Sequence, residues 1–350
     1  MFRNYLATLI IMVASSAFAE VNFSGFGTFA GGVALNQNSL NSPNIHGYEE
    51  TLSFSPNSFI GGQVFADIAG ELDAVVQITA DASTGWDSID NLNFDLSWVF
   101  LNYRFNDNWS LQAGRQRMPH YAYSDCLDIS YAYHWIQAPT QLYNAPFNSF
   151  NGISLLNDFE IANVSFSTQL LYGGEPDYEE DIGKQYSDIW GGKVIARYQW
   201  LTATAGYFEF REYSESKPGA PQPDAPPPPV KITEGVLKSW DAALTAEIDD
   251  WFIIAEITSV DLTNLGNQYG TLQPVMLSIV KNIGAISPHI SFGYNRELYV
   301  NRQDSTSPFY IVGTRWDISN STALKVEFSS EQDQNDTNYT IETALVAAFF

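Results

Sequence analysis

The amino-acid sequence predicts an all-β protein, a transmembrane, antiparallel, up-and-down β-barrel of about sixteen strands with its third long loop folded inward. Three observations predict it. Apolar and polar residues alternate with a period of two from Val21 to Phe350, and no convincing amphipathic helix interrupts them. Short and long connections take turns along the chain, as they must when every second reversal lies on the same rim. The strand stretches approach the ~9 to 11 residues that cross a bilayer on a tilt, whereas no segment has the ~20 apolar residues of a helical span.

The first residues carry Arg3, an apolar run from Leu6 to Val13, and Ala17-Phe18-Ala19, which have the charge, length and small-residue ending of a secretory leader. Residues 1–19 are therefore expected to be a signal peptide, and residues 20–350 a single barrel domain. No composition break divides them. Charged residues make up 16% of the chain and aromatics 15%. Lys and Arg number 16 against 40 Asp and Glu, and losing Arg3 with the leader takes the formal charge from −24 to −25. Such acidity argues against nucleic acid as a partner. The single cysteine, Cys126, excludes an intrachain disulfide framework.

The clearest strands alternate strictly. Leu72, Ala74, Val76 and Ile78 face away from Asp73, Gln77 and Thr79. Trp240, Ala242, Leu244, Ala246 and Ile248 oppose Asp241, Thr245 and Glu247; Leu324, Val326 and Phe328 oppose Lys325 and Glu327; and Val164, Phe166, Leu170 and Tyr172 oppose Ser165, Ser167 and Gln169. Short links are expected near Gly70-Glu71, Asn106-Asp107-Asn108, Asn157-Asp158, Trp200-Leu201, Asp249-Asp250, Asn282-Ile283-Gly284 and Ser319-Asn320-Ser321. Between them fall long links over 36–58, 81–93, 119–150, 173–187, 214–235, 261–272, 300–307 and 330–338. Trp109, Trp200, Trp251 and Trp316 sit beside short turns, where an interfacial aromatic girdle belongs. An open edge in hydrocarbon would strand backbone groups at several kcal/mol each, so the first strand must pair with the last.

The stretch from Met118 to Phe150 is the longest of these links with a packing composition. Tyr121, Tyr123, Tyr131, Tyr133, Trp135, Tyr143, Phe147 and Phe150 supply area that a solvated linker lacks. It is read as a loop packed inside the bore.

The start VNFSGFGTF, the segment QAGRQRMPHYAYSDCLDISYAYHWIQAP and the terminal AAFF resemble Gram-negative porins, particularly porin-like proteins of gammaproteobacteria. The resemblance covers the chain beyond the leader. It implies an outer-membrane location amid lipid and lipopolysaccharide, a homotrimer of sixteen-stranded barrels, a third extracellular loop acting as the constriction, and a terminal Phe350 read by the barrel-assembly machinery. The acidic Pro-Glu-Phe-Gly-Gly segment of enteric general porins is absent here.

A channel of this kind passes small hydrophilic solutes and ions; it needs a polar lumen, a narrow point and a charge pattern, and no cofactor. Lys193, Arg197, Arg315 and Lys325 face the lumen by alternation, as do Asp67, Asp73, Asp241, Glu247, Glu256 and Glu327. The bland reading is that they solvate the bore. Arg115 and Arg117 are in phase with Trp109, Leu111 and Ala113, an apparent lipid-facing set. Each would cost ~2 to 4 kcal/mol toward mid-bilayer lipid, so either the opposite set faces a neighbouring subunit or a bulge near Gly114 flips the phase. With Asp125 and Asp128 in the loop, these bases are expected to form an acid-against-base constriction. Because acids outnumber bases, a weak cation preference is expected.

His120 and His134 flank Cys126 with Asp125 and Asp128 near, a spacing that matches no standard zinc pattern. His289 lies between Ser287 and Ser291, without a nucleophile motif. The segment Gly219 to Val230 is low-complexity polyproline, and Glu175, Asp177, Glu179, Glu180 and Asp181 crowd another outer link, where a divalent-cation site bridging lipopolysaccharide competes with the bland reading of a repulsive solvated loop. The competing readings are a substrate-selective channel of the same fold and a barrel lipase or protease.

Overall fold

The computed structural model describes residues 20–36, 47–81, 93–179, 182–216, 232–265, 270–301, 303–333 and 336–349. The sixteen strands are β1 (Glu20–Asn36), β2 (Phe59–Ala69), β3 (Leu72–Asp81), β4 (Asn93–Arg104), β5 (Trp109–Arg117), β6 (Ser149–Ile161), β7 (Val164–Glu179), β8 (Ile182–Tyr198), β9 (Leu201–Ser216), β10 (Ile232–Ile248), β11 (Trp251–Asp261), β12 (Thr271–Lys281), β13 (Ile286–Leu298), β14 (Ser305–Ser319), β15 (Thr322–Asp333) and β16 (Asp336–Phe349). Each pairs antiparallel with its sequence neighbours, and β1 pairs with β16 to close the barrel. Apart from strands, the described residues form single 3-10 turns at Ser124–Cys126, Ser130–Ala132 and Thr263–Leu265.

Closure runs from Gly25↔Phe349 to Asn36↔Tyr339. A Cβ at Gly25 would stand 2.3 Å from the outer end of the exposed Phe349 ring, which would have to swing aside. The expected period of two holds around the wall. On β16, Asn338, Thr340, Glu342, Ala344 and Val346 are buried inward, while Tyr339, Ile341, Leu345 and Phe349 are exposed outward. The outward sets of all strands form an exposed apolar surface far beyond what a soluble monomer carries, as a lipid-facing belt requires. Trp109, Trp200, Trp251 and Trp316 are exposed beside the short-turn rim, where the girdle was expected.

Several boundaries differ from expectation. Asn157-Asp158 lies within β6, paired to Thr168 and Ser167, and Asp158 accepts a hydrogen bond from Ser167 Oγ at 2.7 Å. The reversal comes later, at Ala162 and Asn163, whose φ values of 51° and 64° suit a two-residue hairpin. The ladder outweighed the local turn propensity of Asn-Asp. Similarly, the stretch 173–187, expected as a loop, is mostly strand, with β7 and β8 paired out to Glu179↔Ile182. The links over 214–235, 300–307 and 330–338 shorten for the same reason: β9 and β10 reach Ser216 and Ile232, β14 starts at Ser305, and β15 and β16 meet across Asp333↔Asp336. Residues 1–19, the stretch Gly219 to Val230, Glu180 with Asp181, and Phe350 lie outside the described residues.

Candidate functional site: a loop docked inside the barrel

The chain leaves β5 at Arg117 and rejoins the sheet at Ser149 on β6. Pro119, Pro139 and Pro146 cannot donate to a ladder, so the intervening residues turn instead; the amides of Leu142 and Tyr143 both donate to the Pro139 carbonyl. The loop crosses the lumen and lies on the far wall. Tyr121, Tyr133, Trp135, Leu142 and Tyr143 pack on Ile254, Met276, Phe309 and Ile311, which occupy lumen-facing positions of β11, β12 and β14. Apolar residues on a face that should be wet make sense only because the loop covers them; Trp135 is 0% exposed. Nearer its roots, Met118, Phe147 and Phe150 join Leu171, Ile189, Phe208 and Phe210. At the opposite side Ile136 settles among Ala30, Ala323, Ala344 and Val346, small residues that let the loop approach the backbone.

Polar contacts fix its register on the wall. Lys325, fully buried, donates from Nζ to the carbonyls of Ser130, Tyr133 and Trp135, the second at 2.9 Å. Arg315 donates to the carbonyls of Tyr131 and Tyr133 at 2.6 and 3.0 Å and stacks over the Tyr131 ring at 4.5 Å. Lys193 donates to the carbonyl of Tyr121. Acids accept in the opposite sense. Glu256 takes the Ala122 amide at 2.9 Å and the Tyr143 hydroxyl at 2.7 Å, and Glu327 takes the Ile136 amide at 2.7 Å. Gln141 donates to Glu331, Trp135 Nε1 donates to Ser291 at 2.8 Å, and His134 shares a hydrogen bond of 2.8 Å with Ser278. These are mostly charge-assisted bonds in a water-poor interface, the strong class.

The expected site residues therefore separate. Lys193, Arg315 and Lys325 do come together with the loop, but as its anchors: their cationic ends contact its backbone rather than open water. Arg117 and Asp128 form an ion pair between the end of β5 and the loop. Arg115 pairs with Glu175 at 2.7 Å and donates to the Leu96 carbonyl, apart from the loop's acids. No register shift marks β5 on either side; instead Gly114 adopts φ +137°, and a Cβ there would stand 2.2 Å from the Val99 carbonyl oxygen. Asp125 is exposed. Arg197 is exposed near the short-turn rim, bonded to Ser167 at 3.0 Å. Sequence reasoning missed the wall residues Ser278, Ser291 and Glu331 as loop partners. Their only signal was a lumen-facing phase, shared with dozens of other residues.

Burial also sets the loop's titrations. His120 is held neutral, its pKa pushed down to about 3 by burial and then by Lys193. His134 lies well below the usual histidine range through burial, His289, Lys325 and Arg315. Burial pushes the Cys126 thiol up to about 11. Among the described residues, no group of three or more His, Cys, Asp or Glu could hold a metal ion.

Between the docked loop and the wall of β2 and β3 a cleft of about 360 Å³ remains. Asn57, Ser58, Thr79 and Asp81 face it from one side, and Asp128, Gln137, Thr140 and Asn148 from the other.

No family model and no curated protein sequence matches the chain. Solved structures do. OmpT, an outer membrane protein of Vibrio cholerae, superposes with a TM-score of 0.66 at 11% identity, covering 96% of this chain and 99% of that one. OmpF of Salmonella typhi gives 0.63 at 13% identity, covering 94% and 97%. The anion-selective porin from Comamonas acidovorans gives 0.60 at 14%, covering 95% and 100%. This is the fold of the Gram-negative outer-membrane porins. The sixteen-stranded barrel expected from alternation and connection lengths is thus present over the whole described chain, with its third long connection turned inward.

Proposed function

We propose that this porin-fold barrel is a passive outer-membrane channel for small hydrophilic solutes and ions, weakly cation-preferring and trimeric. The observation that carries the reading is the cleft beside the docked loop. Its walls set hydroxyls, amides and the carboxylates of Asp81 and Asp128 among the apolar side chains of Phe59, Leu127, Ile136 and Ala138, while Lys193, Arg315 and Lys325 spend their charge on loop carbonyls. Cations passing the cleft would meet the carboxylates of Asp81 and Asp128, the latter ion-paired with Arg117. The overall charge of −24 adds a wider field of the same sign, which salt screens. His134 and Ser278 are hydrogen-bonded, but Ser278 is 0% exposed and sealed beneath the loop, so the reading assigns them packing rather than hydrolysis.

Single-channel recording in planar bilayers under a tenfold KCl gradient tests this: the expected result is open-channel current with a cation-side reversal potential that fades at high salt. No conductance, or anion preference, overturns it. For the trimer, OmpT of Vibrio cholerae is described in a trimer form. Here Phe29 and Phe54 stack at 5.5 Å on the outer face of the glycine-rich β1, a surface suited to a subunit contact. Mass measurement in mild detergent decides between three copies and one. Insertion through the assembly machinery is read from Phe350; its deletion should lower the outer-membrane yield.

A further inference from the structure

On the long-connection side of the docked loop, a second cavity of about 310 Å³ opens against β8 to β12. Its position follows from register: Lys184, Ser214 and Thr233 line it, each within two residues of the upper end of its strand. Its lining is unusual for a water-filled bore. Val260, Leu262, Leu265 and Leu272, half-buried, line it with aliphatic side chains backed by the buried Leu237. Facing that surface are one base and one acid, Lys184 and Glu212, whose charged atoms lie 4.0 Å apart with side chains 30% and 10% exposed. The volume is at the lower end of small-molecule sites, ~300 to 1,000 Å³.

We propose that this pocket is a capture site for zwitterionic solutes with an aliphatic side chain, aliphatic α-amino acids being the simplest. The inference rests on the channel reading and adds the solute class to it. At 4.0 Å the ion pair is at the limit of contact; Tyr186 adjoins both partners, with Lys184 Nζ 5.4 Å over its ring, and each charged group still keeps lone pairs or protons to offer. A zwitterion answers both at once, its carboxylate to Lys184 and its ammonium to Glu212. The same orientation turns its side chain toward the leucines, which lose contact with water. A purely ionic solute leaves the aliphatic wall wet, and a long fatty acid leaves Glu212 facing an apolar chain. Charge complementarity and apolar area together therefore select a small solute with both signs and a branched aliphatic tail.

Titration calorimetry of the full chain in lipid nanodiscs tests this with four probes: leucine, serine, 4-methylpentanoate and 3-methylbutylamine. Leucine should bind tightest, and loss of the tail, the ammonium or the carboxylate should each weaken binding, on the order of tenfold. Lys184→Met should weaken leucine while sparing 3-methylbutylamine, and Leu265→Asn should abolish the preference for leucine over serine. Leu262→Asn serves as a second variant, and heat-modifiable migration reports that each is folded. Equal binding of leucine and serine, or tighter binding of 4-methylpentanoate than leucine, overturns the proposal. The KCl conductance of the unaltered protein is measured alongside. Conductance without the leucine preference sinks the pocket and leaves the channel; leucine binding without conductance does the reverse.

Discussion

Lys325 Nζ on β15 donates to the main-chain carbonyl of Tyr133 at 2.9 Å, holding the inward loop against the wall opposite its roots. The ammonium is fully buried and closely surrounded by oxygens of Ser130 and Trp135 as well. Desolvating a charge in this way is tolerated only when its donors are satisfied, so base and loop depend on one another.

Replacing Lys325 with Met should loosen the loop while leaving the barrel closed. Each carbonyl left without a donor costs about 1 to 3 kcal/mol. Cys126, the only cysteine, reports the change: its thiol, raised to about 11 by burial, should react slowly with maleimide at neutral pH and faster in the variant. Unchanged labelling in a folded K325M barrel would show that the apolar cluster alone holds the loop.

Acid should loosen the same dock. His120 titrates at about 3 in place against an ordinary 6.5, so the undocked state binds the proton more readily. Its contribution is complete above about pH 6.5 and is lost progressively as pH falls toward 3, on the order of a few kcal/mol across that window. His134, against Lys325 and Arg315, changes in the same direction. Fluorescence of buried Trp135 and current noise between pH 7 and 4 should reveal the loss, and His120→Asn should flatten the profile.

Charge substitutions should tune selectivity in opposite senses. Asp125 and Asp128 changed to Asn should move the reversal potential toward anions; Arg115 and Arg117 changed to Gln should move it toward cations. Arg117 and Asp128 are ion-paired, so removing either leaves its partner uncompensated beside the cleft. The Arg115 change should matter less, since that residue answers Glu175 away from the loop. Two double variants with unaltered reversal potentials would remove the loop from the conduction path.

Gly114→Ala should reduce folding yield sharply. The left-handed φ of +137° and the Val99 carbonyl 2.2 Å from the added Cβ act together. Conformation alone costs ~1 to 3 kcal/mol, and the steric conflict with backbone adds to it. Heat-modifiable migration of the refolded variant measures the effect; a normal yield would mean β4 and β5 can separate there at little cost.

Much of the architecture was legible in the chain alone because a bilayer leaves few solutions. Period-two alternation sets which residues of β15 or β16 face lipid, connection lengths assign the rims, and closure pairs β1 with β16. The length and aromatic content of the segment after Arg117 already required it to pack on something. What it packs on was not legible. Lys325 and Arg197 look alike in sequence, both basic and both in the lumen phase, yet one is sealed under the loop and the other is exposed near the short-turn rim. Lys325 and Ser130 are 195 positions apart, and only the register of the barrel brings them together. The turn expected at Asn157 moved to Ala162 because a ladder of paired backbone groups outweighs the preference of two residues. Local periodicity is a property of neighbours along the chain; burial and charge pairing are properties of neighbours in space, which only the closed barrel defines.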